Sequence, residues 1–185
     1  RQMCIRDSPS SGLSSQPSFD LDSAVALNSN GLVRIDGRSV STRILPITPS
    51  TSASLPAVSP VSSSLLAWRE DDRLVLVDSS TNATRVVDSS EGQYSPSIDR
   101  FGWVWDIPRG GNLRASRIDG QNLPIASENQ SLNGVSAVRV SPDGARALLL
   151  RQVGGSTSAW IAGIERRGSG EPIALTDPEP LAGLS

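Results

Sequence analysis

The chain has 185 residues, 37% hydrophobic and 4% aromatic, with a net charge of −2, which suits one domain whose core needs no disulfides. It contains no histidine, and all 17 basic residues are arginine, which excludes Ser-His-Asp and Cys-His nucleophilic catalysis, histidine-ligated zinc, lysine Schiff bases and the lysine of a phosphate-binding loop. A single cysteine, Cys4, excludes an intrachain disulfide, and scattered arginines in a slightly acidic chain exclude a nucleic-acid footprint, so neither a cofactor nor a nucleic-acid partner is expected.

Residues 1–8 (Arg1-Gln2-Met3-Cys4-Ile5-Arg6-Asp7-Ser8) read as translated adapter sequence joined to an incomplete reading frame, and are set aside from fold reasoning. Residues 9–18, rich in serine and proline, read as a flexible linker. No apolar run approaches the roughly 18–20 residues that span a bilayer as a helix. From residue 19 onward the chain becomes a series of short β-prone segments. Serine, glycine and proline together supply 32, 16 and 13 residues, a turn-rich balance that favours many short strands over long helices. Residues 23–27 and the alternating 32–36 flank Asn28-Ser29-Asn30-Gly31, a hairpin by pattern. The Pro/Ser/Thr-rich stretch 46–60 reads as a connection between units.

The remainder is an internal repeat. One unit runs from Ser59 through the apolar 65–68, the alternating 72–77 and the outer 83–87. The next runs from Ser97 through 101–105, 112–118 and 122–126, and the third from Ser141 through 145–150, 158–164 and 172–175. The starting serines lie 38 and 44 residues apart. A period of about 40–50 residues with four strands per unit is that of a β-propeller blade. The expected fold is therefore all-β, a partial propeller of about four antiparallel blades at 19–54, 55–93, 94–135 and 136–181, in an incomplete ring. Strands between neighbouring blades are buried on both faces, so 147–150 is expected to be covered on both sides.

Candidate chemistry is sparse. Ser141-Pro142-Asp143-Gly144 has the composition of a tight turn, with Asp143 bonding its own backbone. Trp103 and Trp105 are two apart and share one strand face, with Val104 on the other, and the pattern places them in packing between blades, as it does Trp68 and Trp160. Paired carboxylates run glycoside hydrolysis without histidine; Asp99 and Asp106, which flank an apolar strand, are the pair closest to that arrangement. Glu70, Asp71 and Asp72 sit at an expected hairpin tip, where a charge run is usually solvated.

Pro96-Ser97-Ile98-Asp99-Arg100-Phe101-Gly102-Trp103-Val104-Trp105, the Gly110-Gly111 loop, and Val138-Arg139-Val140-Ser141-Pro142-Asp143-Gly144-Ala145-Arg146 together resemble the propeller domain of the LpqB family. That family carries a G-W-x-W-like strand followed downstream by an R-V-S-x-D-G-x-R turn, matched here at 102–105 and 139–146. The likeness covers roughly 20–181. It implies an actinobacterial lipoprotein on the outer face of the cytoplasmic membrane, with a sporulation/germination-type domain before the propeller. It also implies an accessory role in a two-component system, through contact with the extracytoplasmic domain of a sensor histidine kinase. Membrane attachment would come only from an N-terminal lipid anchor that this chain lacks; Cys4 has no apolar leader before it and does not match a lipobox cysteine. No catalytic residue carries over. The leading expectation is thus a non-enzymatic, protein-binding propeller in the cell envelope, with Glu70, Asp71, Asp72, Arg73, Arg109 and Asn112 as contact-loop residues. The alternatives are a glycosidase-like propeller and a cytoplasmic structural propeller.

Overall fold

The computed structural model describes residues 54, 57–62, 64–88, 95–108, 112–127, 132 and 134–181, together with the backbone of the strands between residues 18 and 44. Its described strands form four sheets, each folded from consecutive strands. The first contains β1 (Ser18–Phe19), β2 (Ser23–Asn28), β3 (Gly31–Asp36) and β4 (Ser41–Ile44). The second contains β5 (Ala57–Val58), β6 (Leu65–Glu70), β7 (Arg73–Asp78) and β8 (Ala83–Asp88). β9 (Ser97–Ile98), β10 (Val104–Asp106), β11 (Arg114–Ser116) and β12 (Asn122–Pro124) make the third. The fourth holds β13 (Ala126–Ser127), β14 (Val135–Val140), β15 (Arg146–Val153), β16 (Ser156–Arg166) and β17 (Pro172–Pro180).

In each sheet four strands meander antiparallel, β1 to β4, β5 to β8, β9 to β12 and β14 to β17, while β13 pairs parallel with β17 at the edge of the fourth. The first strands β1, β5, β9 and β14 lie side by side from sheet to sheet. Meandering sheets ranged around their innermost strands form an open arc of a β-propeller, as the repeat predicts. The hairpin expected from Asn28-Ser29-Asn30-Gly31 is present as β2 and β3, closed by Asn28 opposite Gly31.

The core consists of the layers between sheets. Ala57, Leu65, Ala67, Leu74, Leu76 and Val87 of the second sheet pack against Ile98 and Val104 of the third. Trp103, Trp105, Leu113 and Ala115 of the third pack against Val138, Ala147, Leu149, Ala162 and Leu175 of the fourth. The two-residue period of β10 therefore sends Val104 one way and both tryptophans the other, as their spacing predicts. Each large apolar side chain fully buried in these layers contributes about 1.5–3 kcal/mol.

Two expectations are corrected. The segment 147–150 is fully covered on one face only: Ala147 and Leu149 are buried, but Leu148 is 37% exposed. The third sheet packs on the face of β15 that carries Ala147 and Leu149, while the Leu148 face is only partly covered. By contrast, β6 and β7 of the second sheet are buried on both faces from Leu65 to Arg69 and from Leu74 to Val77. The repeat alignment also shifts. Ser59 and Ser141 each open a turn between the first and second strands, whereas Ser97 lies within β9, paired with Trp105. The residue of the third sheet equivalent to these serines is Asp99, whose amide is bonded to the Trp103 carbonyl as Ser59 is to Leu65 and Ser141 to Arg146. A shared serine aligned the text; the hydrogen-bonded turn aligns the structure.

The passage from third to fourth sheet has its own feature. After β12 the Ile125 amide bonds the Leu113 carbonyl, and the next two residues leave to pair parallel with β17, Ala126 opposite Ala174 and Ser127 opposite Leu175. The chain thus straps the outer edge of the following sheet, covering hydrogen-bonding groups that an edge strand otherwise exposes.

Candidate partner-binding end of the sheets

The stem of the β6–β7 hairpin and the start of the β10–β11 connection meet at one end of the second and third sheets, where Arg69 bonds Asp106 and the Ile107 carbonyl. The β6–β7 hairpin ends in the Glu70–Arg73 pair, with Asp71 and Asp72 at the exposed tip. Asp71 adopts a left-handed φ of 51°, a conformation that aspartate tolerates better than most residues. Glu70 accepts a hydrogen bond from the Trp68 indole at 3.4 Å. The β10–β11 connection leaves from Asp106 and returns at Arg114, which are paired across the strands. Asn112 is exposed on this connection; Arg109 lies outside the described residues.

Beneath these loops is a buried charge cluster that the sequence reading missed. The Asp106 carboxylate accepts a bidentate fork from Arg114, Nε at 2.8 Å and Nη2 at 2.7 Å. It also accepts from Arg69 Nη2 at 2.8 Å, and the same Arg69 nitrogen donates to the Ile107 carbonyl at 2.9 Å. Asp106 and Arg69 are almost wholly buried, and Arg114 is largely so. Burial holds the Arg69 guanidinium below its ordinary pKa, opposed by the Asp106 carboxylate and reinforced by the nearby Arg114 charge. The Arg69 backbone is gripped as well: its amide donates to Ser54 Oγ at 2.8 Å and its carbonyl accepts from the Ser54 amide at 2.6 Å. The signal in the sequence was an aspartate ending an apolar strand with arginines on two neighbouring strands; the pairing across 37 residues is invisible without the fold.

The opposite end of β10 carries a second buried carboxylate. Asp99 Oδ1 accepts the amides of Phe101 and Trp103, each at 2.9 Å, while Oδ2 accepts the Trp105 indole at 2.9 Å and Arg166 Nη2 at 2.7 Å. Arg166 also donates to the carbonyls of Gly144 and Gly170, tying the turns of the fourth sheet to that of the third. Asp99 and Asp106 therefore stand at opposite ends of one strand, both with side chains of 0% exposure and both engaged by arginine. Neither is accessible to a substrate, and the hydrolytic pair considered from the sequence is not formed by these two residues. Among the described residues no group of three or more acidic or thiol side chains is arranged to hold a metal ion.

The remaining sequence candidates fall into structural roles. Asp143 accepts the Ala145 amide at 3.0 Å and the Ser141 hydroxyl at 2.5 Å, as its turn reading predicts. Trp68, Trp103 and Trp105 are buried, and Trp160 is half-buried with the Arg151 guanidinium 5.7 Å from its ring centroid. Two further arginines join sheets: Arg85 of β8 donates to the carbonyls of Arg117, Gly120 and Gln121 in the β11–β12 turn, and Arg139 of β14 donates to the Ser95 carbonyl just before β9 at 2.7 Å. Planar, always-charged guanidinium forks suit this joining task better than the ammonium of lysine.

Solved structures agree with the architecture. A chain of the crystal structure of a nidogen/laminin complex superposes with a TM-score of 0.54 at 14% identity, covering 87% of this chain and 67% of that one. TolB from Acinetobacter baumannii superposes with a TM-score of 0.54 at 15% identity, covering 90% of this chain and 46% of that one. The chain thus spans about half the length of TolB. At these identities the likeness shows the fold alone. No curated protein matches the sequence. The model of the LpqB lipoprotein β-propeller domain family matches residues 22–184, nearly the whole of the four-sheet arc, and the chain belongs to that family.

Proposed function

We propose that this domain is a non-enzymatic, protein-binding propeller of a lipid-anchored envelope protein on the outer face of the cytoplasmic membrane. In this reading it serves as an accessory to a two-component system, and its partner is the extracytoplasmic domain of a sensor histidine kinase. The observation that carries the reading is membership of a lipoprotein propeller family. The end of the second and third sheets supports it, since there an arginine-braced platform carries the exposed Asp71, Asp72, Arg73 and Asn112; Arg109 is retained as a contact residue from the sequence reading. Rigid scaffolds that display loops are the common design of binding surfaces. Binding would shift the sensor between conformations only to the extent that the propeller prefers one of them.

The test is biolayer interferometry of the purified chain against the extracytoplasmic domains of the sensor kinases from the source genome. One of them is expected to bind saturably, and Arg73→Ala together with Asn112→Ala to weaken it about tenfold, the effect of losing contact residues worth about 1.4 kcal/mol together. Saturable binding that these changes leave untouched would move the surface elsewhere, and absence of binding to every sensor would remove the signalling role.

A further inference from the structure

Two Asp–Gly steps lie wholly within the described residues, Asp119-Gly120 in the β11–β12 turn and Asp143-Gly144 in the β14–β15 turn. In such a step the glycine backbone nitrogen can attack the aspartate's side-chain carbonyl carbon, since glycine carries no Cβ to obstruct the approach. In a folded chain the reaction depends on how firmly the carboxyl group and the glycine amide are held, and the two turns differ in both respects. Asp143 is held firmly. Its Oδ1 accepts the Ser141 hydroxyl at 2.5 Å and the Ala145 amide at 3.0 Å, while the Gly144 amide donates to the Ser141 carbonyl at 2.8 Å. Gly144 is buried against the Phe101 ring, and Arg166 Nε donates to its carbonyl at 2.9 Å. Asp119 is held loosely. Its side chain is 48% exposed, with Oδ1 accepting the Gln121 amide at 3.2 Å and Oδ2 standing 3.5 Å from Arg117 Nε. The Gly120 amide reaches the Arg117 carbonyl only at 3.3 Å, and a Cβ on Gly120 would meet nothing within 4 Å. Restraint from outside the turn comes from Arg85 of the second sheet, whose guanidinium takes the carbonyls of Arg117, Gly120 and Gln121 together.

We propose that Asp119-Gly120 is a site of spontaneous covalent modification, the conversion of aspartate to isoaspartate, which Arg85 slows and which in turn releases the Arg85 joint between the second and third sheets. The Gly120 nitrogen forms a bond to Asp119 Cγ, and the amide proton and the hydroxyl of the protonated carboxyl group leave as water, giving a cyclic imide. Water then opens the ring. Breaking the new N–Cγ bond restores aspartate. Breaking the bond between that nitrogen and the Asp119 main-chain carbonyl carbon leaves the chain running through Cβ and Cγ, with the former main-chain carbonyl as a free carboxylate. The water lost in the first step is returned in the second, so no other reactant is consumed, and the backbone gains a methylene at residue 119. The insertion falls between the carbonyl of Arg117 and those of Gly120 and Gln121, so the three no longer converge on one planar guanidinium. Arg85 slows the reaction because it pins the backbone on both sides of the reacting step.

The test ages the full chain in warm neutral buffer, digests it with trypsin and locates isoaspartate by electron-transfer fragmentation. Cleavage after arginine puts Asp119 in the peptide 118–139 and Asp143 in the peptide 140–146, and an unchanged mass separates aspartate conversion from deamidation of Asn133. Isoaspartate is expected to accumulate several-fold faster at 119 than at 143 in the folded chain, and at similar rates at both in urea. Arg85→Ala is expected to speed the reaction at 119 and leave 143 unchanged. Ageing is expected to lower the melting temperature of the parent chain more than that of Asp119→Ser, which has no carboxyl group to cyclise. In the Arg85→Ala background, where the joint is already absent, Asp119→Ser is expected to make no such difference. Equal rates at 119 and 143 in the folded chain overturn the proposal, as does a difference that persists in urea, which would place its origin in local sequence. An unchanged rate at 119 in Arg85→Ala, or equal acceleration at both sites, removes the role of Arg85. Identical melting losses on ageing with and without Asp119→Ser in the parent chain show that the conversion releases no joint.

Discussion

Gly170 is the position where a single methyl group tests the joint between the third and fourth sheets. It adopts a φ of +81°, and a Cβ placed on it would lie 2.3 Å from Phe101 Cδ1, 2.8 Å from Cγ and 2.9 Å from Cε1. The Phe101 ring is 38% exposed, but it is bounded on two sides: a Cβ on Gly144 would stand 3.0 Å from its Cε2, and the Arg166 guanidinium lies 4.6 Å from its centroid. Gly170→Ala therefore carries two costs. The left-handed backbone costs a Cβ-bearing residue about 1–2 kcal/mol, and the collision with the ring adds about 1–3 kcal/mol of overpacking. Together they are about 2–5 kcal/mol, a large share of the roughly 5–15 kcal/mol that stabilises a typical domain. At about 2–4 °C per kcal/mol for a chain of this size, the melting temperature falls by roughly 4–20 °C. The assay is thermal and urea unfolding followed by circular dichroism, run as a double-mutant cycle with Phe101→Ala. Without the ring the collision disappears and only the backbone cost remains, so Gly170→Ala in the Phe101→Ala background is expected to cost about 1–2 kcal/mol. If Gly170→Ala costs the same in both backgrounds, within about 0.3–0.5 kcal/mol, the ring does not sit in a two-glycine cradle and the account of this joint is wrong.

Two further expectations follow from the same packing and hydrogen bonds. Leu149→Ala, in the layer between the third and fourth sheets, is expected to destabilise by about 2–5 kcal/mol, whereas Leu148→Ala on the partly covered face is expected to cost only about 1 kcal/mol; equal losses in urea unfolding would show that both faces of β15 are equally covered. Hydrogen bonding by the Ser141 hydroxyl, and then by the Ala145 amide, holds the Asp143 carboxyl below its ordinary pKa. A depressed folded-state value means that its stabilising contribution is present above the ordinary pKa of about 3.9 and lost as pH falls through the lowered value. Ser141→Ala is expected to return the Asp143 carboxyl toward the ordinary range in a carbon-detected NMR titration, and an unmoved midpoint would assign the shift to the backbone instead.

Much of the fold was written locally in the chain. A strand needs only a two-residue period and turn-forming punctuation, both properties of neighbouring residues. For that reason the meander of short strands, the blade-like repeat, the Asn28–Gly31 hairpin and the opposed facing of Val104 and Trp105 could all be read in order. The same locality explains the errors. Aligning serine with serine put Ser97 in the role that Asp99 holds, because serine and aspartate cap such turns interchangeably and only the backbone hydrogen bonds distinguish them. The apolar 147–150 looked identical to a doubly covered strand, since composition records what a side chain prefers and not how many neighbours reach it. The parallel strap of Ala126–Ser127 onto β17 had no local signature.

What the sequence determined by itself was the architecture, the exclusion of histidine and lysine chemistry, and the family resemblance that the family match bears out. What only the tertiary structure decided was where the charges go. Arg69 meets Asp106 and Arg166 meets Asp99 across 37 and 67 residues of chain. These contacts turn two candidate catalytic carboxylates into buried joints between sheets. These two guanidinium groups reach their carboxylates only when separate sheets are stacked, and no periodicity along a single strand encodes which sheet will be its neighbour.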